Sequence, residues 1–204
     1  MGFTDELVFY LFTLAFAAFT LAYLMTDAYF AYREDKMDIK NSLNSLSIPI
    51  MLIGAYLLVV GVVSQFTWFL PGAYDILFFD PIVAFGLVLV AGAVAIRYNV
   101  KLRYVGFLSL LFGAMAIWYG ISGYNLGLTK APLEFLALFT LFGAAGIMTF
   151  PATLIVDNFP RRKLEMPMSW NTALAILWIL LILAGIAAAA IGAIALPAHL
   201  ATPP

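Results

Sequence analysis

Between Leu7 and Leu196 the sequence passes through six runs of almost unbroken apolar residues. Each is close to the roughly 20 residues that a helix needs to cross a bilayer. The runs cover about Leu7–Tyr32, Leu46–Gln65, Pro81–Tyr98, Tyr104–Tyr124, Leu133–Val156 and Trp170–Leu196. Membrane barrel strands are shorter, about 10 residues, and alternate in polarity, whereas these runs are apolar on every face. The pattern predicts an all-α integral membrane bundle: a single transmembrane domain over residues 1–204 with six spanning helices. Composition agrees: 65% of residues are hydrophobic and 10% charged, against roughly 45–50% and 25% in soluble domains. A chain of 204 residues has too little interior to hide that much apolar surface from water.

Orientation follows from the basic residues. Arg33, Lys36 and Lys40 fall between the first and second runs, Arg97, Lys101 and Arg103 between the third and fourth, and Arg161, Arg162 and Lys163 between the fifth and sixth. Of the 10 Lys and Arg, only Lys130 falls on the other side. The positive-inside rule then predicts three cytoplasmic loops, both termini outside, and residence in the cytoplasmic membrane. The N-terminus is acidic rather than basic (Thr4-Asp5-Glu6), so the first run reads as a retained helix and not as a cleaved signal.

Several chemistries are disfavoured by what the chain lacks. It has no cysteine and one histidine, His199, so thiol catalysis, bis-histidine haem ligation and multi-imidazole metal sites have no residues to work with. No metal site or cofactor is expected. The net charge of −1 gives no footprint for nucleic acid. No nucleophile–base set or metalloprotease motif appears, and no lysine sits mid-membrane to form a Schiff base, so an enzyme is the least favoured class.

Local signals mark the helix ends. Thr4-Asp5-Glu6 places a cap and negative charge at the first helix's positive end, Asp80-Pro81 reads as a cap followed by proline in the first turn, and Ser169 opens the sixth helix. Pro151 should kink the fifth helix. The stretch Phe66–Asp80, rich in Phe, Trp and Tyr without a basic residue, predicts an aromatic interfacial loop or a lid over an outward-facing cavity.

Small residues recur at helical spacing. Gly106, Ser109, Gly113, Ala116, Gly120 and Gly123 form a stripe on the fourth helix, Ser47, Gly54 and Gly61 on the second, and Gly185, Ala189 and Gly192 on the sixth. Such stripes let helix backbones approach closely in lipid. Residues 11–18 also lie ungapped on residues 107–114, as a three-plus-three inverted repeat would.

Ionisable groups inside a membrane default to functional suspicion. Asp157 has Arg161 one turn later, a helical ion pair, and Glu134 suits a first turn. Asp27 is different. It shares a heptad-spaced face with Thr13 and Thr20, and Tyr23 precedes it by one turn. Two readings stand: interhelical glue, with Asp27 facing inward and paired to Arg97 or Arg103, or the wall of a hydrated path in which Asp27 carries a proton or cation. Thr140, Thr149 and Thr153, beside Pro151, are placed to face the same space.

The cysteine-free six-span layout and the charged first loop Tyr32-Arg33-Glu34-Asp35-Lys36 resemble small archaeal polytopic membrane proteins grouped as a family of unknown function. The resemblance covers the whole chain and carries no activity with it. Two function classes follow from the residues. One is a small transporter or channel with a hydrated path beside the first helix. The other is a non-catalytic subunit or assembly factor of a larger membrane complex. The expected partners are the lipid bilayer and either further copies of the chain or other membrane subunits.

Overall fold

The computed structural model describes residues 6–35, 39–68, 70, 72–158 and 167–201. The cap Thr4-Asp5, Lys36 and the Arg161-Arg162-Lys163 cluster lie outside the described residues, as do the side chains of Arg33, Lys40 and His199. Six helices follow one another: α1 Glu6–Asp35, α2 Ile39–Thr67, α3 Tyr74–Arg97, α4 Arg103–Asn125, α5 Pro132–Asn158 and α6 Met168–Ala201. All six are long and apolar enough to cross a membrane, which marks the chain as a multi-pass membrane protein.

Two helix starts differ from expectation. The polar segment Ile39–Ser45 contains no glycine or proline, and α2 runs through it to begin about two turns before the apolar run. Much of the stretch Phe66–Asp80 is helix rather than loop. The chain turns at Gly72 (φ +60°), and α3 starts at Tyr74 with Asp75 in its first turn. Asp75 is 1% exposed and its Oδ1 accepts the Leu70 N–H at 3.1 Å, which ties the linker to the new helix. Phe78 and Phe79 are therefore core residues, and Asp80-Pro81 lies inside α3 rather than capping it. Pro81 costs that helix a hydrogen bond, as Pro151 does in α5.

Each helix packs on its neighbours in sequence, and α6 closes back onto α1. The two closest pairs, α2–α3 and α4–α5, are those in which glycine removes the side chain between backbones. Along α4, Gly106 faces Thr153 and Phe150, Gly113 faces Gly143 and Ile147, and Gly120 faces Phe139. Gly54, Gly61 and Gly86 make the corresponding contacts between α2 and α3. Gly185 and Gly192 of α6 pack on Phe19, Leu11 and Phe12 of α1. Without a hydrophobic force between helices in lipid, such close van der Waals contact is what holds a pair together. Under the three-plus-three alignment, α4–α5 would correspond to α1–α2, yet α1 contains no glycine and both α2 glycines face α3.

A central apolar cavity as candidate functional site

The helix ring encloses an elongated cavity of about 650 Å³, within the roughly 300–1,000 Å³ of small-molecule sites. It takes in residues from Leu138 to Val156 of α5, a length of about 27 Å at ~1.5 Å per residue. Among the described residues, none that line it is charged.

Its two ends differ. Towards the end where α2 joins α3, aromatic rings fill the interior. Phe78 packs against Phe135 and Phe139 with centroids 5.2 and 5.9 Å away, Tyr10 meets Phe79 edge-on at 5.2 Å, and the Tyr10 hydroxyl lies 3.4 Å from Ser64 Oγ. Towards the basic end, which carries Arg97, Lys101 and Arg103, the walls are aliphatic and small. Among the described lining residues four are exposed: Tyr29 on α1, and Asn171, Ala175 and Trp178 on α6. They mark a lateral mouth between the basic-end halves of α1 and α6. Trp178 Nε1 donates to Thr26 Oγ1 at 3.0 Å across that seam, and Thr26 in turn donates to the Ala22 carbonyl. A tyrosine and a tryptophan are the side chains expected at a membrane–water boundary.

The expected path beside α1 is displaced. The cavity face of α1 is Leu14, Leu21 and Ala28 with Leu7, Leu24 and Met25. Thr13, Thr20 and Asp27 each precede a lining residue by one position, which rotates them about 100° around the helix. None of the three lines the cavity, and neither does Tyr23. Tyr23 is 63% exposed and Asp27 is exposed too, so the inward orientation expected for Asp27 does not hold. Asp27 stands near the basic end of α1, where the cost of a charge facing outward falls off. Thr13 is buried, and its hydroxyl bonds back to the Phe9 carbonyl. Of the residues assigned to the path, Thr149 does line the cavity, as does Thr153, while Thr140 is exposed.

Of the expected ion-pair partners, Arg161 lies outside the described residues. Asp157 caps the neighbouring helix: its carboxylate accepts the Leu102 and Arg103 N–H groups at 3.0 and 2.8 Å, and the Arg103 Nε lies 3.9 Å from it. It thus satisfies donors that the start of α4 leaves open. Arg97 ends α3 and is exposed.

One polar cluster had no counterpart in the sequence reading. Asp80 Oδ1 accepts from Gln65 Nε2 at 2.6 Å and Asp80 Oδ2 from the Tyr119 hydroxyl at 2.7 Å, joining α2, α3 and α4 away from the basic end. These residues are far apart in sequence, and no local pattern links them. Among the described residues no group of His, Asp and Glu is placed to hold a metal ion.

No curated protein and no solved structure matches the chain. A family model described as "Protein of unknown function (DUF981)" matches residues 1–202. With nearly its whole length matched, this six-helix membrane chain belongs to the DUF981 family of proteins of unknown function.

Proposed function

We propose that the protein is a lipophile-binding protein of the cytoplasmic membrane. In this reading the central cavity holds an elongated apolar molecule that enters through the mouth between α1 and α6. The observation that carries it is the cavity itself, large, elongated and, among the described residues, without a charged lining residue. An ion or polar solute would shed its hydration there with little to replace it, which weighs against a hydrated path. With the basic loops cytoplasmic, the mouth faces the inner leaflet, and both termini lie outside.

Gly92 offers the test. It lines the cavity, and a Cβ there would meet only Val105 Cγ1, at 3.8 Å. Gly92→Phe should therefore place an aromatic ring inside the cavity, across the path of an elongated ligand, with little strain on the helices. Native mass spectrometry of the purified wild-type protein should show a retained lipophile, identified after organic extraction. Gly92→Phe should lose it while keeping its thermal stability. Equal retention by both proteins would refute the reading.

A further inference from the structure

Besides the Tyr10 and Tyr29 hydroxyls, the Thr26–Trp178 pair and the Asn171 amide, the polar side chains of the cavity wall are of one kind. Ser109 donates its hydroxyl hydrogen to the Gly146 carbonyl at 3.0 Å, Thr149 to that of Ala145 at 2.8 Å, and Thr153 to that of Phe150 at 2.8 Å. All three line the cavity, on facing stretches of α4 and α5 beside Pro151. Each oxygen has spent its one hydrogen and keeps lone-pair capacity. At the seam, the Thr26–Trp178 bond likewise occupies the indole N–H. Between α4 and α5 the wall therefore offers hydrogen-bond acceptors, well away from the exposed mouth, and among the described residues it carries no cation.

We infer that the ligand is an uncharged long-chain alcohol whose hydroxyl donates to the Ser109–Thr149–Thr153 acceptors. This rests on the lipophile-binding reading above and names the chemistry of its ligand. A fatty acid fits poorly. Its carboxylate accepts and cannot donate, it would meet acceptor oxygens at this patch, and among the described residues no charged side chain lines the cavity to pair with it. A plain hydrocarbon would fit the walls but leave the three oxygens without a donor. An alcohol buries its chain against the aliphatic walls and gives its single donor to the polar patch between α4 and α5.

Scintillation-proximity binding of tritiated hexadecan-1-ol to the purified protein, with three unlabelled competitors, provides the test. Hexadecan-1-ol should displace the label best. Its methyl ether, which lacks only the donor, should be weaker by about three- to tenfold, the discrimination of one net neutral hydrogen bond, and hexadecanoate weaker still. Thr149→Val, which exchanges a hydroxyl for a methyl at nearly constant shape, should bring the alcohol down towards the ether and leave the ether unchanged. Ser109→Ala should act in the same direction. Equal displacement by alcohol and ether, or stronger displacement by hexadecanoate, would overturn the alcohol assignment while leaving a lipophile site in place. Absence of saturable binding by all three would overturn the lipophile reading as well.

Discussion

Replacing Gly113 by alanine tests how the bundle is held together. A Cβ at that position would fall 2.5 Å from the Gly143 carbonyl oxygen and 2.8 Å from the Ile147 nitrogen. Both are backbone atoms of α5 and cannot rotate away, so the helices must separate by on the order of 1 Å to restore ordinary carbon contacts of about 3.5–4.0 Å. Overpacking of this kind costs about 1–3 kcal/mol. Alanine also gains about 0.8–1.0 kcal/mol of helix propensity over glycine, which would mask part of the loss. Gly92→Ala supplies the control, because it makes the same exchange in a helix where the new Cβ meets only Val105 at 3.8 Å. The propensity gain cancels between the two variants, and Gly113→Ala should be less stable than Gly92→Ala by about 1–3 kcal/mol. Reversible unfolding in mixed micelles, followed by circular dichroism, measures the difference. Equal stability of the two variants would mean that α4 and α5 do not approach through Gly113.

Two further outcomes follow from the ends of the helices. Asp157→Ala removes the acceptor for the Leu102 and Arg103 N–H groups and should cost about 0.5–2 kcal/mol, as lost helix caps do; Asp157→Asn, with one acceptor oxygen, should recover part of that in the same unfolding assay. For orientation, a membrane-impermeant maleimide on intact cells should label Lys130→Cys and spare Lys101→Cys, since the chain has no cysteine of its own; the opposite pattern would invert the topology.

The span count was legible because a bilayer imposes one length on every helix, and runs of about 20 apolar residues leave few alternatives. The glycine stripe of α4 was legible for a similar reason: small residues at helical spacing have few uses other than close approach. The start of α3 was misread because Asp80-Pro81 carries the local signature of a cap, while Gly72, with its positive φ, sets the break two turns earlier. The cavity was the least legible feature. In lipid both faces of a helix are apolar, so periodicity cannot separate an inner face from an outer one. On α1 the polar stripe Thr13, Thr20 and Asp27 drew attention, whereas the cavity face is the aliphatic set one residue later, Leu14, Leu21 and Ala28. Thr149 and Thr153 were identified through Pro151, a local signal. Trp178 and Thr26, 152 positions apart, had none.

The most direct measurement of the central cavity uses a nitroxide attached to Gly92→Cys in the otherwise cysteine-free chain. Electron paramagnetic resonance would compare its collisions with molecular oxygen, which partitions into apolar space, and with a water-soluble nickel chelate. A dry lipophile cavity should give high oxygen and low nickel accessibility. A label that the nickel chelate reaches as readily as one at the exposed Lys101 would contradict an apolar cavity at the centre of this protein.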